Sequence, residues 1–393
     1  MYEYVIIGGG IHGTYVANCL LNETGYSHAD IRIVDPREEL LGSFTSKARQ
    51  CGMRSLRSPF VHHIDTEPFS LRSFAEGAER DGELVPTESH PNRPTLDVFL
   101  DHAGDTIERR CIERCHVRAR ATDVTEQQEG ILVRTDDGDL TTRNVVLAIG
   151  LSGGRTYPHW TESLPDEVPV VHIWDDEFDP AVTTFDGKTF VVGGGITAAQ
   201  VCCRLSGTAD VTLLSRHSLE SALTEADPRW MNWNHIEKEI HSLPPGSQAR
   251  YDRIRDARND ATIPPYLKER LATARDRGDL NVRIGEIACA HASDDGLLFR
   301  FGDGTATTVG QVILATGFDP VPEHPLVSTI ARSLSLERGT NGFPVLDDRT
   351  LAWRRTDGTN SSVYVSGALA EPTVGPFARN IIGARRAAER LLA

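Results

Sequence analysis

The stretch YVIIGGGIHG at residues 4–13 returns, altered, as TFVVGGGITA at residues 189–198. In each copy an apolar run meets glycines and passes into an apolar-faced helical pattern. That reads as a buried strand, a tight turn and a helix. In the first copy Gly8 permits the turn, Gly10 keeps no side chain in a phosphate's way, and Gly13 lets the helix lie close to the strand. The helix N-terminus offers free N–H groups and the positive end of its dipole, so a pyrophosphate is the expected occupant. A second strand, IRIVD, ends in Asp35, about 20 residues beyond the turn, the spacing at which a carboxylate reaches a ribose hydroxyl.

The correspondence continues downstream. DVTLLSR at 210–216 stands where IRIVD stands in the first half. DGLLFRFGDGTATTVGQVILATGF at 295–318 follows the pattern of EGILVRTDDGDLTTRNVVLAIG at 129–150: strand, turn, strand, then an apolar strand ending in A-x-G, at Gly150 and at Gly317. Two such sets in the same order imply two dinucleotide domains of one ancestry. The expected fold class is α/β, with two Rossmann-like domains and the second inserted into the first. The first takes residues 1–160 and 312–393. The second takes 161–311, with an insertion at about 217–265 that holds DPRWMNWNH and TIPPYL.

The two turns differ in a way that bears on the ligand. The second keeps Gly193 and Gly195 but has Ala198 at the third position, and its ribose position is Ser215 followed by Arg216. An arginine there pairs with a 2′-phosphate, which an acid would repel. The expectation is an adenine dinucleotide with an unphosphorylated ribose at Asp35 and NADPH at Arg216; the alternative for Arg216 is a solvated surface residue.

A net charge of −15 with no long basic run argues against nucleic acid as the main partner. No apolar stretch is long enough to span a membrane, and seven cysteines show neither disulfide-type spacing nor a leader-like segment beside them, so a reducing cytoplasm is expected. Residues 36–95 lack periodicity and are rich in turn formers, which suits a functional loop region. Residues 96–117 read as a helix. Near the C-terminus a strand reaches Gly367, a loop passes Gly375-Pro376, and a helix follows for which Pro376 suits the first turn. His62 and His63 read as structural rather than as metal ligands, since two neighbours cannot readily share one site, and no metal is expected. His12 reads equally as a phosphate neighbour or a local cap, and Trp230 and Trp233 as a lid or as core. No triad or acid pair stands out, so no catalytic residue is named.

At this level the chain resembles flavoproteins with two dinucleotide domains, which hold FAD in the first and NADPH in the second. LATGF at 314–318 resembles the motif of class B flavin monooxygenases and of the lysine/ornithine N-hydroxylases. MRSLRSPFVHHID and GALAEPTVGPFARNIIGARRAAER resemble uncharacterised oxidoreductases grouped with those enzymes, with FAD-dependent urate hydroxylase and with aspartate N-monooxygenase. The resemblance implies that the loop 51–63 faces the flavin, with Met53, Leu56, Arg57 and Pro59 as contacts. Arg54 and Arg57 are open to an anionic substrate, to the nicotinamide phosphates or to plain salt bridges. It also implies an NADPH-dependent monooxygenase that hydroxylates a small nucleophile, plausibly an amine, through a C4a-peroxyflavin formed with molecular oxygen. The competing readings are an NADPH-flavin reductase that passes electrons on, and a non-enzymatic redox sensor. There are departures. The redox CxxC of disulfide reductases is absent, FxGxxxHxxxW survives only in VVHIW with His172, and the usual Gly-Asp near the C-terminus is Gly367-Ala368. The flavin's ribityl and pyrophosphate are then expected to rest on the helix N-terminus after Gly375 and on Asn380.

Overall fold

The computed structural model describes residues 1–392, except 89, 152, 166, 177, 186 and 260. Strand Tyr2–Ile7 runs parallel to Ile31–Asp35 on one side and to Leu140–Leu147 on the other. Asn360–Val365 and His116–Arg118 extend this sheet in parallel, and Ala352–Arg354 closes one edge antiparallel. Val5, Ile6, Val145, Val146 and Leu147 are wholly buried, as the uninterrupted apolar runs of a sheet covered on both faces require. Leu140–Leu147 does two jobs: its first residues pair antiparallel with Gly130–Thr135, and its remainder is parallel to the opening strand.

The second sheet is wholly parallel, in the order Leu280–Ile284, Asp210–Ser215, Lys188–Val192, Gln311–Leu314, Val170–His172. Gln311–Leu314 thus belongs to the second domain, and the chain crosses back after it, later than the boundary expected at 312. The reason is register: Val191 pairs with Ile313 and Val192 with Leu314, as Ile6 pairs with Val146 and Ile7 with Leu147 in the first sheet. The two crossings lie side by side as a short ribbon, with Arg155 bridged to Phe318, Thr156 N donating to Gly317 O and Asp319 N to Gly154 O.

Three local expectations change. The segment 36–95 contains helices Gly42–Gln50 and Ser70–Gly77 and a hairpin of Leu84–Thr87 with His90–Pro94. Helix Gly42–Gln50 buries only Ala48, so it carries no periodic apolar signal. The helix expected over 96–117 ends at Arg109, capped at its start by Thr95, and Cys111 at φ +51° turns the chain out of it. The last helix spans Ile381–Leu391; residues 376–379 form a turn, so Pro376 does not open a helix.

The insertion is the largest surprise. It leaves the second sheet yet packs on the first domain. Trp230, Ile236, Ile240 and Ile254 share one apolar cluster with Phe377 and Ile382. Arg250, 1% exposed, holds Asp348 through both guanidinium nitrogens at 2.6 and 2.8 Å. Arg258 Nη1 donates to Glu371 Oε1 at 2.7 Å, and Arg379 reaches the other oxygen at 2.6 Å. Both tryptophans therefore serve packing, Trp230 in the cluster and Trp233 against it. The insertion acts as a strap across the two domains.

Candidate functional site

Each glycine turn is built against the A-x-G strand end of its own sheet. A Cβ on Gly8 would lie 2.4 Å from Ala148 O, and one on Gly193 would lie 2.5 Å from Ala315 O. Both glycines have positive φ, +111° and +154°, so neither position accepts a side chain. Gly13 has no room either, since its Cβ would stand 1.8 Å from Gly8 O. In the second turn Ala198 is accommodated, fully buried, with its Cβ 3.2 Å from where a Cβ on Gly193 would be. Gly10 and Gly195 are the opposite case. Nothing lies within 4 Å of a Cβ on either, and each is the N-cap of a helix, Ile11–Glu23 and Ile196–Leu205, with no side chain capping it. Open space in front of uncapped N–H groups is a phosphate cradle, present twice. The residues fit a dinucleotide in both domains.

Asp35 sits at the end of its strand, beside the glycine turn. Its carboxylate accepts from Gly9 N at 2.7 Å and from Arg37 N at 2.9 Å, which aims it along the turn. In the second domain the matching space beside Gly194 holds Ser215 Oγ and the His217 ring. Arg216 is exposed and makes no hydrogen bond or ion pair with any described residue, so its guanidinium is free for an anion. His217 was not foreseen; its place directly after Arg216 was the available signal. Gly150 and Gly317 hold φ +65° and +88° with open space around them, so both are required for the turn after the strand.

His12 lies at the meeting of three elements. Its Nδ1 is 2.9 Å from Ser366 Oγ, its ring sits 3.6 Å from where a Cβ on Gly367 would be, and the backbone of Arg379 and Asn380 lies beside it. Burial pushes its pKa down to about 4, with that backbone opposing, so it is neutral near pH 7. It joins the turn to the last strand and the last helix. His62 and His63 are also buried, each pushed down to about 4 by burial first. His63 Nε2 is 3.2 Å from Pro68 O and its ring is edge-on to His102. His172 is buried beside Tyr157 and Phe318, with Trp174 N donating to its Nδ1.

The residues expected in the flavin loop make the following protein contacts. Leu56, 5% exposed, faces an apolar cluster with Phe60, Leu71, Phe99 and Ile381 and is a core residue. Arg57 is committed to the strap. Its Nε donates to Leu223 O at 2.8 Å, its Nη2 to Ala222 O at 2.7 Å, and Glu225 is 3.7 Å from Nη1. A guanidinium so engaged has few donors left for a ligand. Met53 is half-buried where the cores of the two domains meet. Gly375, at φ +90°, has Ile236 Cδ1 2.6 Å from where its Cβ would be, so it serves the seating of the strap. Asn380 is the N-cap residue of the last helix, part-exposed, with no side-chain capping bond. Between the domains lies a cavity of about 490 Å³ lined from both. No helix of the described residues is long and apolar enough to cross a membrane.

Comparison with known proteins agrees with this geometry. The family described as FAD-NAD(P)-binding matches residues 5–152. An uncharacterised CzcO-like oxidoreductase of Geobacillus kaustophilus is 24% identical over 57% of this chain; the match spans 61% of that relative's length. Among solved structures, ornithine hydroxylase (PvdA) of Pseudomonas aeruginosa superposes with a TM-score of 0.77 at 17% identity, covering 100% of this chain and 98% of its own. L-lysine 6-monooxygenase of Pseudomonas syringae gives 0.74 at 18% identity, with the same coverage. The chain has the fold of these two-dinucleotide-domain proteins over its whole length.

Proposed function

We propose that this protein is an FAD- and NADPH-dependent monooxygenase that hydroxylates a small nucleophile, an amine foremost, with molecular oxygen as co-substrate. The observation that carries the reading is the pair of open, uncapped helix N-termini at Gly10 and Gly195, each backed by its own parallel sheet. The resemblance to N-hydroxylating enzymes in fold supports the reaction class.

Bound flavin, once reduced by NADPH, supplies the oxygen-activating chemistry. The protein's part is to bind, orient and exclude water. Gly8, Gly10 and Gly13 shape the first pyrophosphate cradle, and Asp35 accepts from a ribose hydroxyl. Gly193, Gly195 and Ala198 shape the second cradle, where Arg216 pairs with the 2′-phosphate. Asn380 and the N–H groups of the last helix face the first dinucleotide. The strap keeps the region around Glu371 and Gly375 in place over the domain boundary. Neutral His12 adds no charge beside the first cradle.

The test is a coupled assay on the flavin-loaded protein. NADPH oxidation and oxygen uptake are followed with a panel of small amines, and peroxide and hydroxylated product are quantified. A hydroxylated amine formed in step with NADPH use supports the reading. Oxygen uptake that ends in peroxide whatever the amine, with electrons passed to an added carrier, overturns it in favour of a reductase.

A further inference from the structure

A cavity lies between helix Gly42–Gln50 of the first domain and the segment after strand Val170–His172 of the second. Its acids are already engaged. Asp175 and Asp176 face Arg155 at 3.1 and 3.5 Å, and Asp179 lies 3.8 Å from Arg204. Arg204 is engaged in turn, but two further cations, Lys47 and Arg37, have no acid partner among the described residues. The Lys47 ammonium makes no hydrogen bond or ion pair with any described residue, although the side chain is half-buried, and it sits 4.6 Å from the centroid of the Phe318 ring. Arg37, on the same wall, is likewise without an acid. Phe318 is stacked on Trp174, with ring planes 4° apart. Burial, then the like charges of Arg37 and Arg155, press the Lys47 pKa downward against the smaller opposing pull of Asp176.

The topology says which ligand belongs there. In a doubly wound sheet a dinucleotide lies across the carboxyl ends of the strands, one half on each side of the glycine turn. Here the turn follows Lys188–Val192, and the Ser215-Arg216 end of Asp210–Ser215 takes the adenosine half on one side. On the other side come Gln311–Leu314 and then Val170–His172. Phe318 and Trp174 follow those two strands at their carboxyl ends. We propose that Lys47 and Trp174 form the subsite for the nicotinamide half of NADPH, Lys47 reaching a phosphate oxygen across the domain boundary and Trp174 walling the ring. The inference rests on the NADPH reading given above. It gives the first domain a direct part in binding the second dinucleotide.

Binding, measured by calorimetry on the flavin-loaded protein, tests it with two probes. NADP⁺ spans both halves, while adenosine 2′,5′-bisphosphate carries only the adenosine half. Lys47→Met is expected to weaken NADP⁺ roughly tenfold or more, the scale of one charge-assisted hydrogen bond, and to leave the bisphosphate unchanged. Trp174→Leu is expected to act in the same direction, and Lys47→Arg to restore most of the loss. Arg216→Ala weakens both probes. Lys47→Met and Trp174→Leu variants that bind NADP⁺ as tightly as wild type, or that lose both probes equally, overturn the subsite. A wild-type protein that binds neither probe overturns the NADPH reading itself, and the subsite with it. Melting temperature and flavin content of each variant separate loss of contact from loss of fold.

Discussion

The amide of Gly9 donates to Asp35 Oδ2 at 2.7 Å, so the glycine turn and the carboxylate proposed to meet a ribose are tied together by the protein itself. The carboxylate's second oxygen is held by Arg37 N at 2.9 Å. Asp35→Ala removes both anchors and the ribose acceptor together. Flavin affinity is expected to fall by roughly 10- to 100-fold, the worth of a charge-assisted hydrogen bond, as read from the flavin-to-protein absorbance ratio after dialysis. Full retention of flavin would mean the acid does not face the ribose.

Glycines within one turn should separate into two kinds. Gly10→Ala meets open space, so the apoprotein should melt as wild type does while flavin binding is lost, because the methyl group stands where a phosphate approaches. Gly13→Ala drives a methyl against Gly8 O and should destabilise the fold itself. Melting curves with and without added FAD check the contrast, and identical behaviour of the two variants would contradict the cradle geometry.

Much of this was legible in the residues. The two turns, the strands behind them, Asp35 and the place of Arg216 follow from apolar runs, glycine spacing and the internal copy, because buried parallel strands and phosphate turns leave strong local patterns. The protein contacts of Arg57 and Leu56 were not legible. Both lie in an aperiodic loop, and their roles are set by the strap and by helices distant in sequence. The strap's docking partners, Asp348 and Glu371, could not be paired with Arg250 and Arg258 from spacing alone.

The strap should be a point of weakness when one partner is removed. Arg250→Met removes the bidentate partner of Asp348, which stays part-exposed beside His241, so a loss of about 1–3 kcal/mol is expected, the scale of hydrogen bonds to a charged group. Denaturant unfolding should report it. Removing both members, Arg250→Met with Asp348→Leu, should recover part of the loss.

Acid should unfold the protein earlier than carboxylates alone would dictate. His12, His62, His63 and His102 are each held near 4 in the folded state, first of all by burial, against an ordinary value of 6.5. Between those values the unfolded chain binds more protons, so stability is fully present above about pH 6.5 and declines as pH falls toward 4. Each proton contributes up to about 1.4 kcal/mol per pH unit. Urea midpoints across that window measure the slope, and His63→Gln should make it shallower.

The most direct test of the central claim is anaerobic addition of NADPH, and separately of NADH, to the flavin-loaded protein, followed by flavin absorbance. Two cradles of these chemistries predict rapid bleaching by NADPH, much slower bleaching by NADH, and loss of that preference in Arg216→Ala. A flavin that neither nucleotide bleaches, or a preference untouched by Arg216→Ala, would contradict the account.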